Sequence, residues 1–356
     1  MALAVHVDDL LLFGPDEVEM NKVLKELELD GFELKTEKQA KDTSHDFLGI
    51  NVTQTTNDEG KTLIKLTQLG LIKKFLECVK MTECNVSATP SLVQPLGTDA
   101  NGRHHHENWD YASAVGMLMC LAGNAYPKIQ CAVHQCARFT HAPRHSHAEA
   151  VKRIARHLKG VLQAEQGLQF TVSDNFNLDL CVDADFAGLW THEDDQDPVC
   201  VKSRTGHVVT LGDCPISFAS KLQQEVATST LESEHIALAT AMRAFVPLRR
   251  AHAELCQTFG FNLTENKLVV KSKVFEDNNG CIATCTAPKM SPRTKHIAVK
   301  CHFVRNCFNL DPTQRNLPEH PFELEKIESE KQKEDLFTKG FNQEKFVPLR
   351  KLLCGW

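Results

Sequence analysis

Long apolar runs are absent from this 356-residue chain. A membrane-spanning helix needs about 20 consecutive apolar residues. The longest uncharged run, 111–127, is broken by Gly116, Gly123, Asn124 and Tyr126, so no membrane partner is expected. A leader is not expected either. The opening MALAVHVDDL has no basic stretch and carries Asp8 and Asp9 where an apolar signal core would continue. A soluble intracellular chain, not a secreted one, is the expectation. No internal repeat is visible, and 42% hydrophobic with 24% charged residues excludes a disordered, collagen-like or coiled-coil composition.

The 14 cysteines lack paired spacing. The nearest approach to a zinc signature is Cys281-x3-Cys285 followed by Cys301-His302 and Cys307. Zinc sites usually show two tight ligand pairs separated by a loop, so buried thiols are preferred here and no zinc is expected. The run His104-His105-His106 sits among Gly, Asn and Glu and reads as a solvated loop.

An excess of positive charge is missing too: 40 Lys and Arg stand against 46 Asp and Glu, a net −6. Taken whole, that argues mildly against nucleic acid. Region by region the picture reverses. Residues 138–160 carry six Arg or Lys and one Glu, and residues 287–305 carry five Arg or Lys and no acid. Residues 183–197 hold six acids and no Arg or Lys. Basic segments beside an acidic patch suit a protein that grips a phosphate backbone and binds cations.

Hydrophobic period predicts the elements. Residues 3–13 read as a hairpin around Asp8-Asp9, and 47–52 with 63–66 as a second. Pro, Gly, Thr, Asn and His dominate 87–107, a linker. Helices follow at about 110–122, 127–140 and 146–159. From Gly167 a second unit reads β-β-β-α-β-α-α-β-α, a mixed sheet flanked by helices. Within it Asp183 closes the first strand, Glu234 lies early in a long helix, Asp277 closes the fourth strand and Asp335 starts a final helix. Carboxylates converging from separate elements repel one another unless a cation lies between them, and hard divalent ions take such oxygen ligands. Scattered turn-forming acids remain the alternative.

The segments CVDADFAG (181–188), SRTGHVV (203–209), PISFASKLQQEVATSTLESEHIAL (215–238), EDNNGCI (276–282), RTKHIAVKCHFVR (293–305) and EDLFTKGF (334–341) resemble, in order, the ribonuclease H domain of copia-type long-terminal-repeat retrotransposon polyproteins. HVDDLLLFG (6–14), DFLGINV (46–52) and YASAVGMLMCLAG (111–123) resemble the end of that family's reverse transcriptase. The resemblance covers nearly the whole chain. It implies an α/β fold, α+β in part: a ribonuclease H-like five-stranded mixed sheet flanked by helices, preceded by a truncated palm, thumb and connection region. The expected division is 1–86 palm end and thumb, 87–109 linker, 110–166 helical connection and 167–356 ribonuclease H-like domain.

Carried over residue by residue, Asp183, Glu234, Asp277 and Asp335 match the catalytic, metal-binding acids, holding two Mg²⁺ or Mn²⁺ ions. The role of Asp185, on the same strand face as Asp183, stays open. Ser229-x-x-Glu232 has capping-box spacing, which gives Glu232 a structural task and leaves Glu234 as the match. Asp8 and Asp9 match two polymerase metal ligands, with His6 where the family has tyrosine; the third ligand lies upstream in the family, and no polymerisation by this chain alone is expected. Lys152, Arg153, Arg156, Lys159, Arg293, Lys295, Lys300 and Arg305 are the expected grips on an RNA–DNA hybrid. A solvated charged face is the alternative for the first four. The resemblance further implies other products of the same polyprotein as partners, and a cytoplasmic virus-like particle with the nucleus as a second compartment. An inactive remnant of a retroelement is the competing reading.

Overall fold

The computed structural model describes every residue except 15, 35–43, 58, 174, 191–196, 262, 265–266, 269–271, 288–297, 309–321 and 329–330. Its first hairpin pairs β1 (Ala2–His6) with β2 (Asp9–Phe13), and α1 (Glu17–Leu29) follows, capped by the Asp16 side chain. No side chain described in these three elements is buried. Leu3, Val5, Val7, Leu10 and Leu11 are all exposed, so among the described side chains the hairpin has strand pattern but no core.

The first packed unit starts with β3 (Ser44–Phe47), β4 (Ile50–Thr56) and β5 (Thr62–Thr67). Then come α2 (Leu69–Cys78), α3 (Tyr111–Gly123), α4 (Gln130–Ala137) and α5 (His145–Gln163). Ile72 and Phe75 of α2 share one core with Leu118 and Leu121 of α3, Val133 of α4 and Ile154 and Leu158 of α5. Elements from the expected thumb and connection regions thus contribute to this one core. A further strand, β6 (Leu168–Thr171), pairs antiparallel with β5 and extends this sheet to the order β3-β4-β5-β6. Leu168 of this strand is also buried with Cys181 and Val208 of the second sheet, so β6 packs with both units.

That strand is β7 (Leu178–Asp185), followed by β8 (Arg204–Leu211), β9 (Cys214–Leu222) and the long α6 (Thr230–Phe259), which runs through Pro247. Two two-residue strands, β10 (Leu263–Thr264) and β11 (Lys267–Leu268), precede β12 (Lys273–Glu276). Then come α7 (Asn279–Thr286), α8 (Ala298–Cys307), β13 (Glu323–Lys326), a 3-10 turn at Lys333–Phe337 and α9 (Gln343–Cys354). The five strands order as β13-β12-β7-β8-β9, parallel across the first three and antiparallel across the last three. The expected five-stranded mixed sheet is present.

Alternation along β7 divides its two faces. Leu178, Leu180, Val182 and Ala184 pack with Ala237, Leu238, Ala241 and Phe245 of α6. Cys181 on the opposite face joins Leu336 and Phe337 of the 3-10 turn and Leu349 and Leu353 of α9. Asp335 does not start the final helix, as the sequence pattern suggested. It lies within the 3-10 turn, and the last α-helix begins eight residues later, capped by Asn342.

Candidate metal centre

Asp183, Glu234 and Asp277 each offer an oxygen within 4.8 Å of the others. β7 brings the first, the second turn of α6 the second, and the end of β12 the third. The helix start explains why Glu234 and not Glu232 reaches the centre. Ser229 Oγ accepts from the Glu232 N–H at 3.2 Å, and the Glu232 carboxylate reaches back to the Thr228 N–H at 2.7 Å and its hydroxyl at 2.8 Å. The capping arrangement thus closes on Thr228, one residue before the cap, and occupies Glu232.

Glu234 is buried, accepts from the Ala184 N–H and keeps Oε2 unpartnered. Burial, with the charges of Glu276, Asp183 and Asp277, pushes its carboxyl up to about 10. An acid so disfavoured as an anion needs either a proton or a cation beside it. The set therefore fits a hard divalent ion.

Asp335 stands on the other flank of Asp183. Lys339 Nζ lies 2.6 Å from Asp335 Oδ1 and 4.0 Å from Asp183 Oδ2. Burial, then the Asp183 charge, pushes Asp335 up to about 7 against the pull of Lys339. The Thr338 hydroxyl donates to Asp183 Oδ2 at 2.5 Å. Gly206, the cross-strand partner of Asp183, makes this approach possible. A Cβ there would stand 2.7 Å from Thr338 Cγ2 and 2.8 Å from Phe337 Cβ. Asp185 turns elsewhere. Its carboxylate lies where a Cβ on Gly188 would be, and burial raises its pKa. Lys339 and Thr338 were not singled out from the sequence; their position four and three residues after Asp335 in a helical turn was the available signal.

A cleft of about 420 Å³ opens beside these acids, lined among others by Asp185, Lys202, Lys339 and Lys345. Val93 and Pro95 of the linker also line it. The expected basic grips lie differently. Lys152 pairs with Glu107 at 2.5 Å and Glu149 at 3.1 Å, Arg153 donates to Thr89 Oγ1 at 2.8 Å, and Lys159 to the Thr82 carbonyl at 2.5 Å. Arg156 lies 3.8 Å from Glu149. Lys152, Arg153 and Lys159 thus tie α5 to residues 82–107, while Arg156 pairs within the helix. Lys300 pairs with Glu225, and Arg305 is buried. Arg293 and Lys295 lie outside the described residues.

Asp8 and Asp9 are exposed at the tip of the first hairpin, and among the described residues no third ligating side chain joins them. No helix among the described residues is long and apolar enough to cross a membrane.

A mixed α/β sheet with converging acids at its strand ends defines a class, and comparison with known proteins supplies the family. The chain is 30% identical over 304 residues to the retrovirus-related Pol polyprotein from transposon RE1 of Arabidopsis thaliana, covering 85% of this chain and 19% of that protein. It is 29% identical over 357 residues to the corresponding polyprotein from transposon TNT 1-94 of Nicotiana tabacum, covering 99% of this chain and 24% of that one. Over most of its length the chain is homologous to retrotransposon Pol polyproteins. It spans about a fifth to a quarter of the length of these relatives. No family model matches. Among solved structures, LC11-RNase H1 isolated from compost overlaps 46% of this chain and 93% of its own, at 16% identity and a TM-score of 0.27. That overlap is too slight to define a fold.

Proposed function

We propose that the chain is a copia-type polyprotein segment whose second unit is a ribonuclease H-like endonuclease, cutting the RNA strand of an RNA–DNA hybrid to leave 3′-hydroxyl and 5′-phosphate ends. One observation carries this reading: buried Asp183 and Glu234 converge with Asp277 at the sheet end, with an unpartnered Glu234 oxygen. Asp183, Glu234, Asp277 and Asp335 would hold Mg²⁺ or Mn²⁺, which when bound supplies an activated water and stabilises the leaving oxygen. The protein's own part is positional. Thr338 orients Asp183, the Ala184 N–H orients Glu234, and Lys339 balances Asp335 while presenting charge to the cleft. Lys202 and Lys345 give the cleft a phosphate-attracting wall, and backbone recognition of this kind carries no base sequence.

No polymerase role is assigned to Asp8 and Asp9, because two exposed carboxylates alone do not enclose a metal. The test is cleavage of a labelled RNA–DNA hybrid with and without Mg²⁺, using the full chain and its Asp183→Asn variant. Mg²⁺-dependent loss of the RNA strand in the parent chain alone supports the reading. A folded parent chain with no cleavage favours the inactive remnant, and equal cleavage by Asp183→Asn overturns the site.

A further inference from the structure

A second set of ligating side chains lies apart from the acids in chemistry though near them in sequence. His235 of α6 and Cys281 and Cys285 of α7 each offer one donor atom, all within 4.8 Å of one another, and all three residues are 0% exposed. The i, i+4 spacing puts both thiols on one face of α7, whose start is capped by Asn278. His235 Nδ1 stands 3.7 Å from Cys281 Sγ and 3.8 Å from Cys285 Sγ.

Those separations can be compared with a metal site. With Zn–S about 2.3 Å and Zn–N about 2.0–2.1 Å, tetrahedral angles place S and N ligand atoms roughly 3.6 Å apart and two sulfurs roughly 3.8 Å apart. The nitrogen–sulfur edges here are already close to that spacing. Glu276, 0% exposed with Oε2 unpartnered, acts on Cys281 through its charge but is not among the donors that lie within 4.8 Å of one another. The spacing pattern that argued against zinc in the sequence looked for two tight pairs, whereas here the third donor comes from another helix, 46 residues earlier.

We infer that His235, Cys281 and Cys285 form a binding site for a thiolate-preferring cation of the Zn²⁺ class. Both thiols lose their protons on binding, and because the site is fully enclosed the ion enters as the chain folds. Hard Mg²⁺ avoids such donors, so the two sites select different ions by ligand chemistry. A bound ion would clamp α7 to α6 beside Glu234, the residue directly before His235.

The test uses the full chain, unfolded in chelator and refolded with Co²⁺ in place of zinc. A thiolate-to-cobalt charge-transfer band, and stoichiometric zinc in protein expressed with zinc, are expected. The Asp183→Asn variant should keep both signals, and Cys281→Ala with Cys285→Ala should lose both. Refolded parent chain without the band overturns the inference, whether or not the double variant folds. Zinc retained at full stoichiometry by the double variant overturns it equally.

Discussion

Two pairs of acids near strand ends have opposite fates in this molecule. Asp8 and Asp9 occupy the tip of an exposed two-stranded hairpin whose apolar residues find no core. Asp183 lies near the end of β7 and Asp277 directly after its neighbour β12 in a five-stranded sheet, with α6 packed across one face and bringing Glu234 to them. The residue chemistry is the same. The difference lies in enclosure: three elements rigidly packed around a shared core can hold like charges together, and an isolated hairpin cannot. Convergence and desolvation make a metal centre out of carboxylates.

The sharpest way to break this contrast is substitution on both sides. Asp183→Asn or Asp277→Asn should lower Mg²⁺-dependent hybrid cleavage at least about a hundredfold, since even the partners of metal ligands contribute 10- to 100-fold. Asp8→Asn combined with Asp9→Asn should leave the rate unchanged. Loss of cleavage in the hairpin variant would sink the comparison.

Stability against pH tests the enclosure itself. Glu234 and Asp335 have raised pKa values, about 10 and about 7, so the folded state binds more protons than the unfolded chain above the ordinary carboxylate range. Stability must then fall as pH rises through that window. Thermal melts in chelator should show Tm dropping between about pH 5 and about pH 8, with Mg²⁺ restoring it at the upper end and Glu234→Gln flattening the slope. A Tm that climbs over the same range contradicts the buried, repelling set.

The two glutamates of one helix turn should separate cleanly. Glu232→Ala removes the contacts to Thr228 and should cost about 1 kcal/mol of stability in denaturant melts, with cleavage kept. Glu234→Gln should remove cleavage instead. If the two variants exchange these phenotypes, the assignment is reversed.

The smallest effect concerns charge. Lys339→Ala should weaken hybrid binding and reduce the slope of log affinity against log salt by about one unit. Lys152→Ala should leave that slope alone, because Lys152 is engaged with Glu107 and Glu149. Equal effects from both lysines would restore α5 as a binding face.

Much of the second unit was legible residue by residue. The alternation in Leu178–Asp185 and the Ser229 cap with its glutamate three residues on are local signals, and the structure places a strand and a helix start there. Less legible was what depends on distant partners. Lys152 and Lys159 of α5 meet Glu107 and the Thr82 carbonyl, 45 and 77 residues away, which no local pattern reveals. Asp335 was read onto the last helix because its local pattern does not distinguish a 3-10 turn from an α-helical start. Leu168–Thr171 pairs backward with β5, a choice made by long-range hydrogen bonds that local pattern does not carry.

By itself the sequence determined which residues could become elements and which acids and thiols were available, since period, capping and turn chemistry act over a few neighbours. Only the tertiary structure decided which of those groups meet. Asp183, Glu234 and Asp277, like His235, Cys281 and Cys285, become neighbours because burying the two faces of one sheet forces their elements together. Enclosure then removes the water that would otherwise have kept their charges independent.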